Sequence, residues 1–535
     1  MKNLKTYPID DEAFLPVRHI SKKISQRVPI FQIENISHEK NAPKRLHKLV
    51  IDLDFSYGFD KAATKSALKR IRVIDELKIT LKQNLLFVKE FLSLLMNIKI
   101  KKLNICIERY ELFQPPKLKQ IFSHGCNRFL QELVITLKLP GNYLNLMLTL
   151  SAQQHLKFTD KKFQVLCKRY MAGCPQLKNL QLNLKSQTLQ NLTSLSLSSL
   201  GSSIRRLRDL SGLNLNVVLK DITDESLTFF SNCLAKKTEL IFLKLFISGM
   251  RKVSPEILFK ALSKLKNLRY LYLEIDPGWS EPNIQDLADA CSELLNLESF
   301  YLNYTPLEKM AYNPLFDITL KKLVKLENLK LLLTSVYEEE FYEFSHALQF
   351  LSNLKYLDLT VFDISCFNQR TVKRLSDSLS KLRNLQKLNL RLSKTAMDTN
   401  HIKMLLNSFS SLMSLQEISF ELFNCVKLSD SQILHDFYCV MLQIPVIRKV
   451  EVKLYGDIVF RIEEVLETAL KEFIEKQKAL QIFKLDLPDE CFQQSSHVTF
   501  ADFLKQFRKR EFESFRIYQS GEIFFSSPLA SARFP

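Results

Sequence analysis

Histidines, cysteines, glycines and clustered acids are the residues of this 535-residue chain whose spacing could announce chemistry. The nine histidines stand at 19, 38, 47, 124, 155, 346, 401, 435 and 497. None forms H-E-x-x-H, which would set two imidazoles on zinc beside a general base, and none forms a spaced Cys/His set. His124-Gly125-Cys126 is the closest approach. The ten cysteines include no C-x-x-C pair, and the nearest two, Cys167 and Cys174, sit among apolar neighbours at about helical spacing, as reduced core thiols do. The ten glycines lie at 58, 125, 141, 173, 201, 212, 249, 278, 456 and 521. No group of them builds G-x-G-x-x-G or G-x-x-x-x-G-K, so nucleotide binding through those phosphate-cradling loops is excluded. There is no G-x-S-x-G elbow. Glu338, Glu339, Glu340 and Glu343 open a helix, where acids suit the positive end of the dipole, and a structural role is expected of them. The expectation is a protein with no catalytic residue, no metal ligand and no cofactor.

The elements that would position any site follow a repeat. Apolar residues recur at positions 0, 3, 5 and 7, as in Leu268, Leu271, Leu273 and Ile275, again in Leu354, Leu357, Leu359 and Val361, and again in Leu385, Leu388, Leu390 and Leu392. Sixteen starts fit: 46, 74, 100, 130, 177, 210, 240, 268, 297, 326, 354, 385, 415, 447, 480 and 512, about 31 residues apart on average. The copies at 210, 447 and 512 fit least well, and the long step after 130 marks an irregular stretch at 138–176. Alternation at 3, 5 and 7 is strand periodicity. Beyond each strand the period lengthens. Pro282 precedes Ile284, Leu287, Ala288, Cys291, Leu294 and Leu295, and Phe341, Phe344, Ala347, Leu348 and Leu351 repeat that helical stripe. One strand and one helix cannot bury both apolar faces alone, so neighbouring units must stack into a parallel-sheet solenoid.

The L-x-x-L-x-L strands, as in "LKNLQLNL" from Leu177 and "LRYLYLEI" from Leu268, resemble leucine-rich repeats of the long, ribonuclease-inhibitor-like type, over about residues 46–520. Composition is also similar to large leucine-rich-repeat families of single-celled eukaryotes. The resemblance implies an α/β horseshoe with a parallel concave sheet and convex helices. One departure is plain: the family places Asn or Cys at position 8, where this chain has Asp276, Phe362, Ser393 or Phe423. Without that asparagine ladder, the backbone at the strand ends must be satisfied in another way. The organisation expected is a basic amino-terminal segment or cap at 1–45, a solenoid of about 16 repeats at 46–520 and a tail at 521–535.

Positions 2, 4 and 6 of each strand define the predicted concave face. Phe242, Lys244, Phe246, Tyr270, Tyr272, Tyr301, Lys330 and Tyr356 fall there. With strands about 4.8 Å apart, Phe242, Tyr270, Tyr272 and Tyr301 are expected to form an aromatic patch flanked by Lys244 and Lys330. Tyrosines with few rotamers make good anchors for a protein partner. Trp279, the sole tryptophan, is placed on the rim.

Charge is one-sided along the chain. Of a formal +19, residues 1–210 carry 36 Lys+Arg against 16 Asp+Glu, and residues 211–535 carry 40 against 41. The excess is not on the predicted concave face, where basic residues at 48, 78, 102, 244, 330, 387, 391, 449, 453, 484 and 516 meet acids at 52, 76, 132, 274, 358, 417, 421, 451 and 486. Among the clusters, Lys69, Arg70 and Arg72, then Lys99, Lys101 and Lys102, then Arg205, Arg206 and Arg208 are candidates for docking an acidic partner. No nucleic-acid-reading motif accompanies them, so any RNA contact would be to phosphate and strongly salt-dependent.

Asp10, Asp11 and Glu12 interrupt the first thirty residues, which hold no apolar run of signal length. The richest apolar stretch, Leu85 to Ile98, is broken by Lys89 and Glu90, short of the roughly 18 residues a membrane span needs. An intracellular place is expected, cytoplasmic first and nuclear second. The reading of function is a protein-binding scaffold with a concave partner and a basic region on an acidic one. A ribonucleoprotein subunit and a regulator of an enzyme in trans are the alternatives.

Overall fold

The structure is a computed structural model that describes residues 45–53, 73–81, 99–107, 132–137, 148–149, 160–165, 167–168, 177–184, 192–219, 221–248, 253–274, 281–304, 313–334, 336–362, 367–393, 397–423, 432–455, 464–487, 514–519 and 522–526. The chain forms two compact units, Met1–Asp276 and Pro277–Pro535.

In the first unit the strands are β1 (Arg45–Leu53), β2 (Val73–Leu81), β3 (Lys99–Ile107), β4 (Glu132–Leu137), β5 (Leu148–Thr149), β6 (Asn179–Leu184), β7 (Gly212–Val218), β8 (Phe242–Ser248) and β9 (Tyr270–Glu274). Each pairs parallel with the next. The short β5 lies in the stretch expected to be irregular. Register carries the repeat frame directly: Leu180, Leu213, Leu243 and Leu271 stand in one row. Parallel neighbours need a crossover, and helices Ser194–Arg206, Asp224–Leu234 and Glu256–Leu262 supply it. Leu197, Leu200 and Ile204, then Leu227, Phe230 and Leu234, are buried beneath them with Leu213, Leu243 and Leu271.

Side chains from neighbouring repeats close the helix ends. Asp160 accepts from the Thr193 N–H (2.9 Å) and hydroxyl (2.7 Å), and Thr193 in turn caps helix Ser194–Arg206. At that helix's other end the buried Lys237 Nζ donates to the carbonyls of Leu207 (2.5 Å) and Arg205 (3.3 Å), which would otherwise lack donors. Gly201 allows this helix to approach the next one closely. A Cβ there would meet the Phe230 Cα at 3.1 Å and the Phe229 ring at 3.3 Å. Gly201→Val should therefore lower stability by about 1–3 kcal/mol through overpacking, read as a drop in the urea midpoint at unchanged slope.

In the second unit β10 (Ser299–Tyr304), β11 (Asn328–Thr334), β12 (Tyr356–Phe362), β13 (Lys387–Ser393), β14 (Glu417–Phe423), β15 (Lys449–Tyr455), β16 (Ile482–Leu487) and β17 (Ser514–Gln519) continue the frame, all parallel. β18 (Glu522–Ser526) pairs antiparallel with β17. The segment expected as a tail thus adds a strand: the two residues between β17 and β18 allow only a hairpin reversal. The returns are helices Glu281–Ser292, Glu338–Leu348, Gln369–Leu379, Thr399–Phe409, Gln432–Leu442 and Glu464–Lys476, with a π-helical turn at Leu315–Leu320.

Two features answer for the absent asparagine ladder at position 8. The sheet itself runs on through that position, since Phe362, Ser393, Phe423 and Tyr455 stand in register, so ladder hydrogen bonds extend to the strand ends. A different asparagine series lies just before the strands. Asn353 Nδ2 donates to the Val324 carbonyl and Asn384 Nδ2 to the Ser352 carbonyl, both at 2.9 Å, and in the first unit Asn267 Nδ2 donates to the Thr238 carbonyl at 3.0 Å. Each ties a repeat to the one before it.

Candidate functional site

Strand pleat puts positions 3, 5 and 7 under the helices and positions 2, 4 and 6 on the open face. β13 and β15 show it cleanly, with half-buried and buried residues alternating along the strand. The open face is where the sequence places its candidate residues, and each unit carries its own set.

In the first unit Phe242 contacts both tyrosines of β9, with ring centroids 6.5 Å from Tyr270 and 5.5 Å from Tyr272. Lys244 Nζ stands 5.7 Å from the Tyr272 ring, and Arg269 reaches over Tyr270. Phe242 and Tyr272 are buried in this packing, whereas Tyr270, Lys244 and Phe246 remain half-buried. The accessible part is therefore the edge of an aromatic cluster, with the cations over its rings.

The second unit joins its open-face residues through ring contacts, hydrogen bonds and ion pairs. Lys330 Nζ lies 5.4 Å from the Tyr301 ring and 3.4 Å from Asp358 Oδ2. The Tyr356 hydroxyl donates to that same oxygen at 3.1 Å and accepts from Asn389 Nδ2 at 3.1 Å, and Lys387 sits 5.3 Å over the Tyr356 ring. Burial pushes the Tyr356 hydroxyl up, reinforced by Asp358, so it stays protonated and donating. Asp358 is only 2% exposed, yet its Oδ1 has no hydrogen-bond partner among the described residues. An unmade bond at a buried oxygen costs about 1–3 kcal/mol. Tyr301 and Lys330 are half-buried, and Tyr356 is buried.

Further along, basic and acidic residues alternate from strand to strand. Lys387 pairs with Glu417 (3.0 Å), and Arg391 and Lys453 both hold Glu421 (3.1 and 3.0 Å). Lys449, Lys453 and Lys484 surround Glu451 at 3.4, 3.3 and 3.8 Å, and Tyr455 donates to Asp486. Burial alone would raise the Glu451 carboxyl, but Lys484, Lys449 and Lys453 together bring it below the usual carboxylate range. A carboxylate depressed on folding stabilises fully above its unfolded pKa, and that contribution is lost as pH falls through the lower folded value. Glu451→Gln should therefore cost more stability at pH 7 than at pH 3, as read by urea midpoints at the two pH values.

The remaining predicted residues divide by position. Trp279, Lys69, Arg70 and Arg72 lie outside the described residues. Lys99, Lys101 and Lys102 are on β3, and Lys102 stands in register between Glu76 of β2 and Glu132 of β4. Arg205, Arg206 and Arg208 are exposed. Arg205 and Arg206 fill the last turn of their helix, where cations suit the dipole.

Neighbouring residues also account for the acidic helix start. Glu338 accepts from Asn368 (2.5 Å), Glu339 from Arg370 (2.7 Å), and the buried Glu340 from Asn313 (3.1 Å) and the Tyr337 N–H (3.1 Å). Glu343 differs. With Asp317 and His346 it forms a group whose candidate donor atoms all lie within 4.8 Å of one another. Burial, then Lys321 and Arg374, lower the His346 pKa, so its ring is neutral at pH 7. Burial raises the thiol pKa of Cys167, Cys233 and Cys439 and takes that of Cys291 to about 12, which disfavours the nucleophilic thiolate at these four positions. Among the described residues no helix is long and apolar enough to cross a membrane.

No family model matches this chain, and no curated protein matches it. Among solved structures it is similar to the crystal structure of an internalin, inlF, from Listeria monocytogenes str. 4b F2365. That likeness has a TM-score of 0.38 and 13% identity, and covers 79% of this chain and 90% of that one. The fold rests instead on the register above. Parallel strands set by an L-x-x-L-x-L frame and returned by helices define an α/β leucine-rich-repeat solenoid.

Proposed function

We propose that this chain is a non-enzymatic interaction scaffold that holds a protein partner on the open face of its sheet. The observation carrying this reading is the networked open face of the second unit, where Tyr301, Lys330, Tyr356, Asp358, Lys387, Arg391 and Glu421 are joined by ring contacts, a hydrogen bond and ion pairs. Side chains ordered before binding lose less entropy on association. Aromatic edges with flanking charges of both signs suit a mixed polypeptide surface better than a uniformly anionic polymer.

The basic amino-terminal region docks, on this proposal, against an acidic surface, with exposed Arg208 beyond the helix end as its best-placed described residue. The test is affinity purification of the full chain from native extract, with and without nuclease, at low and high salt. Partners that survive nuclease and are lost from a Tyr301→Ala/Lys330→Ala variant, at about tenfold lower recovery, support the scaffold. Partners lost with nuclease but indifferent to that variant would overturn it in favour of RNA.

A further inference from the structure

We propose that Asp317, Glu343 and His346 form a binding site for a divalent transition metal on the helical layer of the second unit. Glu343 and His346 are three apart on helix Glu338–Leu348 and so share a face. Asp317 comes from the π-helical turn Leu315–Leu320, and their donor atoms all lie within 4.8 Å of one another. Tetrahedral zinc, with bonds of about 2.0–2.2 Å, holds its ligand atoms about 3.3–3.6 Å apart. Side-chain rotation of little more than 1 Å therefore closes the set.

One imidazole and two carboxylates select zinc or a similar borderline ion over magnesium and calcium, which prefer all-oxygen shells. All three side chains are half-buried, which leaves room for water as fourth ligand. The site has a resident competitor: Lys321 pairs with Asp317, and its Nζ also lies 5.7 Å from the Phe350 ring. Phe350 in turn meets the edge of His346, with ring centroids 5.6 Å apart. Arg374, held to the Tyr342 hydroxyl at 2.5 Å, is the second cation acting on His346. Metal entry therefore requires Lys321 to leave Asp317. This gives the proposal a signature that a purely structural cluster lacks, because removing a ligand and removing the competing ammonium must act in opposite directions.

The experiment is titration of the purified full chain with zinc chloride against a chromophoric chelator at pH 7.5, for wild type, His346→Gln and Lys321→Gln. Circular dichroism of each variant establishes that it is folded. Saturable binding that weakens at least tenfold in His346→Gln and tightens several-fold in Lys321→Gln is expected. No saturable binding, an unchanged affinity in His346→Gln, or an unchanged or weaker affinity in Lys321→Gln would overturn the proposal.

Discussion

Phe344→Ala should lower the unfolding free energy of the second unit by about 3–5 kcal/mol, the range for truncating a buried phenylalanine. Phe344 is fully buried on helix Glu338–Leu348, with its ring centroid 5.4 Å from Phe316 and 5.8 Å from Phe341. Phe341 packs in turn on Phe367 at 4.7 Å. These four rings come from the π-helical turn Leu315–Leu320, helix Glu338–Leu348 and the residue just before the cap of helix Gln369–Leu379, so the cavity would lie where repeats are joined rather than inside one. In a solenoid, stability is the sum of repeat terms and interface terms. The loss should therefore appear as a lower denaturant midpoint, and as broader unfolding if this interface couples the repeats. A cost below about 1 kcal/mol would mean that the helices do not pack as described.

The second large effect belongs to the open face. Glu421 is 5% exposed and sits between Arg391 and Lys453. Glu421→Lys would set three cations on adjacent strands in one register row. Breaking a fully buried pair costs about 3–5 kcal/mol. Here Arg391 is 41% exposed and can turn to water, so about 2–3 kcal/mol is expected. Glu421→Gln should cost less, because it removes the charge and introduces no repulsion. Equilibrium unfolding in low and high salt separates the two, since added salt should recover part of the lysine variant's loss by screening.

Much of this architecture was legible in the sequence, because the apolar frame is the sheet register seen in one dimension. A strand occurs at each of the sixteen starts, including the weak copies at 210, 447 and 512. The stripe Phe341, Phe344, Ala347, Leu348 and Leu351 is wholly buried. The other stripe held from Ile284 to Leu294 and failed at Leu295, 54% exposed, because helix Glu281–Ser292 has already ended and Leu295 lies in the following turn.

The candidate site was legible by face and not by detail. Parity assigns Tyr272 and Tyr356 to the open side, but their burial is decided by neighbours such as Phe242 and Lys387, about thirty residues away in sequence. Asp317 was invisible as a companion to His346 for the same reason, since it stands on the preceding return, the π-helical turn Leu315–Leu320, and only the packing of neighbouring repeats brings the two together. The asparagines before the strands were visible as residues, but their role was not, because each bonds to a carbonyl one repeat back.

The most direct test of the central claim, that the open sheet face holds the partner, is site-specific photocrosslinking of the full chain in native extract. One variant carries the photoreactive residue at Leu332, a half-buried open-face position on β11, and a second carries it at Lys373, exposed on helix Gln369–Leu379. A protein adduct from position 332 that resists nuclease, with none from position 373, is the predicted result. An adduct from position 373 and none from position 332 would contradict it.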